Sequence, residues 1–441
     1  MTDHEPFQRG PQNPQDPQVV VFSPELLKLA DRRRQALEDC RQAAEDGDAN
    51  AVVQMGMNCL YGIGGAAKDP KKAFRWFSQT APDDPAGLYW LGVCYDNGFG
   101  VERDEDRACR LYQESAAGDY APALCNLGVC YESGQGVEKN LEKAVELYRR
   151  AAEGGYPRAW HFLGLSYDQG TGVEQNAQEA FRCFLAAAQG DYTEALCQTG
   201  MCYYFGHGAE KDYDRAAEYF RRGAEREHPR AMTRLGVCYE TGHGVEQDVQ
   251  RAEDLYRRAM ALGELEGQYC LAGLLRRRKA PESHREAAHL LQKPAAVGMP
   301  RAQYLLGVCY ETGDGVEKKP RYAAYMYHRA ALQGHPEAML RLGICYETGV
   351  GTEKDPAIAA NLYRQAAEQG SDLARCRLGR LYEQGLGVER DLRRAEELYE
   401  AGTRAGVSGA KEALDRPPRR SPSRRTNRWT RKVPFAVCWT G

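Results

Sequence analysis

Nine histidines, fifteen cysteines and a recurring Gly-x-Gly are the residues of this 441-residue chain with the most obvious capacity for chemistry. Zinc and thioredoxin-type redox chemistry need Cys or His at set spacings, and the chain has neither a C-x-x-C nor an H-E-x-x-H. His207 and His243 instead fall inside successive Gly-x-Gly segments, and His228 and His335 stand just before prolines. Gly62-Ile63-Gly64-Gly65-Ala66-Ala67 matches the letters of a dinucleotide fingerprint. That fingerprint requires a preceding strand, whereas the residues before Gly62 read as helix. No G-x-S-x-G elbow or Walker-type loop is present. These absences predict no metal, no cofactor and no catalytic constellation, and hence a protein that is not an enzyme.

The elements that carry these residues are set by a period. Gly92, Gly128, Gly164, Gly200 and Gly236 are 36 residues apart, as are Gly307, Gly343 and Gly379, and Gly56 extends the series upstream. A fixed period of this size is the mark of a solenoid. In the copy 121–156, Ala123, Leu127 and Tyr131 share one helical face around Gly128. A glycine at mid-helix sacrifices about 1 kcal/mol of propensity, so its repetition implies a close helix crossing. Gly134 and Gly136 end this helix A, Asn140 caps a helix B, and Ala144, Tyr148, Ala151 and Ala152 recur along it at helical spacing. Asp104, Asp212, Asp248, Asp355 and Asp391 take the cap position in other copies, and Pro157, Pro229, Pro300 and Pro336 open new ones. Cys94, Cys130, Cys202, Cys238, Cys309 and Cys345 each follow the marker glycine by two, a packing slot on helix A.

The string L-G-x-x-Y-x-x-G-x-G-V-x-x-D/N followed by K/R-A-x-x-x-Y-x-x-A-A resembles the Sel-one-like repeat, a relative of the tetratricopeptide repeat with a longer inter-helix loop. The resemblance covers roughly residues 24–414. It implies an all-α fold, a right-handed α/α superhelical solenoid of about ten 36-residue helix–loop–helix repeats, with a concave surface offered to protein partners. The expected function is a non-catalytic interaction scaffold or adaptor for a partner protein or extended segment. A cysteine-rich branch of the family is linked to cell-wall or β-lactam chemistry, which makes such an enzyme the alternative. Its regular cysteine pair eight residues apart is missing here, so reduced thiols and a cytoplasmic setting are expected.

One column stands out beside the core positions. The residue after the helix-A tyrosine reads Asp96, Glu132, Asp168, Tyr204, Glu240, Arg276, Glu311, Glu347 and Glu383. A carboxylate near a helix C-terminus meets the unfavourable end of the dipole by about 0.3–1 kcal/mol, so something must offset it. Hydrogen bonds to the N–H groups of its own glycine loop are one account. The other follows from the tetratricopeptide analogy, in which this column lines the groove: an acid every ~10 Å would hold a partner with basic segments. On the same analogy His161, three residues before Gly164, faces the groove, and Tyr89, Tyr204, Phe205 and Tyr304 anchor the partner. Arg276 interrupts the row and would read an acid on the partner.

The ends differ from the repeats. Residues 1–22 read as a disordered lead-in with no signal-peptide core, 23–47 as a capping helix, 48–414 as the solenoid and 415–441 as a basic, disordered tail. The tail from Asp415 carries eight basic residues and one acid, so the −3 of the whole chain leaves −10 on residues 1–414. Nucleic-acid binding is confined in this reading to that arginine-rich tail. No segment is apolar for the ~20 residues of a membrane span. The copy at 264–299 is irregular: Ala272 replaces the marker glycine, and Arg276-Arg277-Arg278-Lys279-Ala280-Pro281 replaces the glycine loop. It reads either as a drifted repeat or as a basic contact point or hinge.

Overall fold

The computed structural model describes residues 24–80, 82–407 and 410–414. The proposed lead-in and the arginine-rich tail lie outside them. Among the described residues there are 22 helices and no strand. Ten helix–loop–helix hairpins run from Ala49 to Arg404, preceded by a helix Pro24–Glu45 and followed by Ala410–Leu414. The architecture is the all-α solenoid expected from the period. Its residues form two compact units, one ending at Leu255 and the other beginning at Tyr256.

The third hairpin shows how the regular ones are built. Helix A, Ala121–Ser133, ends on Gly134 in the left-handed conformation, whose N–H is donated to the Cys130 carbonyl at 2.8 Å. Helix B, Leu141–Glu153, starts at Asn140, whose side chain accepts from the Lys143 N–H at 2.9 Å. Asp104, Asp212, Asp248, Asp355 and Asp391 make the same cap. The loop between the helices is returned by the Asn140 N–H to the Tyr131 carbonyl, at 2.8 Å. The six repeated cysteines are buried, as a packing slot requires, and burial pushes the Cys94, Cys202 and Cys238 thiols up to about 12.

The marker glycine admits a ring rather than a bare helix. A Cβ on Gly128 would lie 2.5 Å from the Tyr148 ring, and one on Gly164 would lie 2.7 Å from the Phe184 ring. The helix-B aromatic twenty residues on packs against helix A at this point. Gly128→Ala will therefore destabilise the first unit by about 1–3 kcal/mol through overpacking, despite the propensity alanine restores. With Tyr148→Leu added, the loss of the double variant will be smaller than the sum of the two single losses. Denaturation of the four-member cycle checks this, and strict additivity would refute the contact.

In the irregular hairpin, helix A spans Leu265–Arg276 and helix B Pro281–Val297. Without a glycine, helix A closes on short-range bonds from the Arg277 N–H to the Leu274 and Leu275 carbonyls. Helix B carries Pro294 in its interior, which has no N–H for the Leu290 carbonyl. The Gln268 side chain donates to that carbonyl instead, at 2.8 Å.

Candidate partner-binding face

Six acids of the column accept from side chains. The Tyr148 hydroxyl donates to Glu132 Oε2 at 2.6 Å, Tyr327 to Glu311 at 2.5 Å, Tyr363 to Glu347 at 2.7 Å and Tyr399 to Glu383 at 3.0 Å. Tyr112 does the same to Asp96 over a longer 3.3 Å. Each tyrosine lies sixteen residues after its acid. The expected bonds to the glycine loop are not made by that loop's leading N–H groups, because those of Gly134 and Gln135 are both taken by the Cys130 carbonyl. A hydroxyl-to-carboxylate bond is worth about 1.5–3 kcal/mol, enough to offset the helix dipole.

Where helix B has phenylalanine and no hydroxyl is on offer, the column changes partner. Opposite Phe184, Asp168 accepts from His207 Nε2 at 2.7 Å; opposite Phe220, Tyr204 pairs with His243 Nδ1 at 2.9 Å. Both histidines come from the Gly-x-Gly loop of the following repeat, 39 residues on. His243 also stacks on Tyr213 at 4.3 Å between ring centroids. The same loop position serves Arg276, whose Nε lies 3.4 Å from Asp314 Oδ2, while His284 Nδ1 lies 2.5 Å from Asp314 Oδ1. Arg276 thus meets an acid of its own chain, not one reserved for a partner. Glu240 occupies its slot half-buried.

Three expected groove residues have a different place. Tyr89 and His161 are each only 8% exposed, and Tyr304 is half-buried. Their rings meet the residue that precedes the next helix A: Tyr89 lies 5.6 Å from Tyr120, His161 5.2 Å from Tyr192 and Tyr304 5.0 Å from His335. This column, three before the marker glycine, is a spacer between repeats. Phe205, by contrast, is 59% exposed.

The open stripe of helix A is the column two before the glycine, with those one and five after it, which lie on one helical face. In the first unit it carries the half-buried Trp90, Asn126, Phe162, Gln198 and Arg234, backed by the half-buried Val129, Leu165, Met201 and Val237, while Val93 in the same column is buried. In the second unit it carries Leu305, Arg341 and Arg377. This stripe lies outside the candidate residues named from the sequence. Its signal was a column of changing character, from Trp and Phe to Arg, beside a column of Leu, with Thr199 as the one exception from Leu91 to Leu378 in the regular copies.

Electrostatics distinguish the two stripes. In the second unit two of the acids are paired: Arg341 Nη1 lies 3.4 Å from Glu311, and Arg377 and Arg380 both reach Glu347, which is 12% exposed. In the first unit, among the described residues, neither Asp96 nor Glu132 has a cation at ion-pair distance, and their partners are tyrosine hydroxyls. No group of three or more metal-ligating side chains converges among the described residues, and no helix there is long and apolar enough to cross a membrane.

A family model for the Sel1 repeat matches nine segments: 49–81, 85–120, 121–156, 157–192, 193–228, 229–264, 300–335, 336–371 and 372–407. The chain belongs to the Sel1 repeat family. The unmatched interval corresponds to the irregular hairpin. Among solved structures, c5321, a protective antigen of uropathogenic Escherichia coli with an SLR fold, superposes with a TM-score of 0.69 at 29% identity, over 88% of this chain and 86% of that one. Among curated proteins, the DAP3-binding cell death enhancer 1 of Rattus norvegicus is 33% identical over 96 residues, 21% of this chain and 18% of that protein. A putative sel1-like repeat-containing protein, R815, of Acanthamoeba polyphaga mimivirus is 34% identical over 76 residues, 17% of this chain and 14% of that protein. The matched stretches thus span less than a fifth of either curated relative. A Sel1 repeat solenoid is an architecture typical of protein-interaction scaffolds.

Proposed function

We propose that this Sel1 repeat protein is a non-catalytic scaffold, and that the helix-A stripe of its first unit holds an extended, basic segment of a partner protein. One observation carries the reading: a row of half-buried aromatic and aliphatic side chains, Trp90, Val129, Phe162 and Leu165, each keeping part of its surface open, runs beside carboxylates with no cation of their own among the described residues, Asp96 and Glu132. Apolar surface supplies affinity, and the unpaired acids supply register and select against acidic partners. Asp168, Tyr204 and the exposed Phe205 continue the row toward the end of the unit. In the second unit, Glu311 and Glu347 are neutralised within the chain, so the acidic row weakens there as a docking device. Glu383, bonded to Tyr399, is the second-unit member of the row with no ion pair to an arginine among the described residues. One curated relative is named for binding another protein, which is the same class of role.

The test is affinity capture with the full chain as bait, followed by titration of the recovered partner. Asp96→Asn combined with Glu132→Gln keeps hydrogen-bond acceptors for Tyr112 and Tyr148 while removing both charges. Affinity will fall at least about tenfold, with helicity unchanged and a smaller salt dependence. Unchanged affinity would sink this reading.

A further inference from the structure

Between the second and third hairpins lies a cavity of about 390 Å³, a size usual for small-ligand sites. Its walls are aromatic on one side: Tyr61, 51% exposed, packs edge-on against Trp90 at 6.2 Å, and Phe99 comes from the glycine loop. Asp96 is the one acid among its lining residues.

The second unit shows what fits such a place. Thirty residues after Glu311 stands Arg341, and thirty after Glu347 stands Arg377; each guanidinium reaches the preceding acid, at 3.4 and 3.3 Å. Thirty residues after Asp96 the chain has Asn126 instead. Asn126 is shorter and uncharged, and the space an arginine would fill is open and ringed by aromatic side chains. We propose that this cavity receives an arginine side chain from an extended protein segment, its guanidinium on Asp96 and its plane against the Tyr61 and Trp90 rings. The proposal rests on the scaffold reading and adds the residue type that is recognised.

The chemistry favours arginine over lysine. A guanidinium is planar and weakly hydrated, stacks on aromatic faces and bonds a carboxylate with two N–H groups at once, whereas an ammonium is a strongly hydrated point charge. Arg158 is the one cation in the lining, and it is already engaged. Its Nη1 donates to Asn126 Oδ1 at 3.2 Å, and its guanidinium lies 5.2 Å from the Phe162 ring centroid. Tyr112 leaves Asp96 with room for a further donor, since its bond there is a long 3.3 Å to a single oxygen.

The probe is N-acetyl-arginine amide titrated into the full chain, read by ligand-observed NMR and tryptophan fluorescence, with N-acetyl-lysine amide as the comparison. Arginine amide will bind with a Kd on the order of 1 mM, at least about fivefold more tightly than lysine amide. Asp96→Asn will weaken it at least about tenfold. Asn126→Arg, which supplies the chain's own plug as Arg341 does, will also abolish it, with helicity by circular dichroism unchanged in both variants. Binding that survives both substitutions, equal binding of the two amides, or no binding of arginine amide would each overturn the proposal. Because the probe is a small molecule, its failure leaves capture of a partner on the rest of the stripe untouched, and the two outcomes separate cleanly.

Discussion

Gly208→Ala will destabilise the first unit by about 3 kcal/mol or more, whereas Gly206→Ala, two residues away in the same loop, will cost only about 1 kcal/mol. Both glycines have a left-handed φ, +71° and +73°, so both alanines carry the strain of that conformation. Their surroundings differ. The nearest atom to a Cβ on Gly206 is the Lys211 Cβ at 3.4 Å, an ordinary contact. A Cβ on Gly208 would stand 1.9 Å from the Ala177 carbonyl oxygen, at the start of the preceding repeat's helix B. Backbone at a helix start cannot swing aside as a side chain can. The second glycine of such a loop is therefore the point where one repeat seats on the one before it: Gly172 meets Leu141 and Gly136 meets Glu105 in the same way. An array of repeats need not unfold in one step, so the comparison is best made on denaturation midpoints together with hydrogen exchange in Ala177–Gln189. Equal costs for the two alanines would show that the seating is not tight.

The two roles of that loop illustrate what was and was not legible in the sequence. That glycine ends helix A follows from local chemistry alone, and so do the Asn and Asp caps and the proline starts. Each acts within four residues of itself. The period then multiplied these local signals until the hairpin and its repetition could hardly be mistaken. Contacts 30, 31 and 39 residues apart depend instead on how successive hairpins nest, and no single copy states that. Tyr89, His161 and Tyr304 were drawn to the groove by analogy with a repeat of shorter loop, and they are spacers under the next repeat's entry residue. The columns themselves held a better clue. The slot of His161 is Cys125, Cys197, Thr233 and Leu340 in other copies, small or apolar residues that belong in a core. The pairing of acid with tyrosine was also present in the letters, since the column loses its glutamates where helix B carries Phe184 and Phe220. Reading it required asking which column changes together with which, sixteen residues away.

His161 will make the first unit sensitive to mild acid. Its ring is enclosed by Phe162, Phe184 and Tyr192, and its Nδ1 has no hydrogen-bond partner among the described residues. Burial disfavours the imidazolium and pulls its pKa down to about 4; Glu194 opposes this and Arg158 reinforces it. The unfolded chain takes up this proton near pH 6.5, and the folded chain only near 4. Between these values the unfolded state binds more protons, so stability is full above about pH 6.5 and falls as the pH drops toward 4. The total at stake is about 3 kcal/mol at most, and about 2 kcal/mol between pH 7 and 4.5. His161→Leu places in this slot the residue found at Leu340 and removes the titration. All other acid-sensitive groups are shared by the two proteins, so the difference between their pH profiles isolates this ring. The wild type will lose that ~2 kcal/mol relative to the variant over the stated range, and the His161 ring signals in NMR will stay those of a neutral imidazole until the pH approaches 4. Parallel pH profiles, or a ring that titrates near 6.5 in the folded protein, would mean that water reaches this slot and that the repeats there are less tightly nested than the packing of Tyr192 over His161 requires.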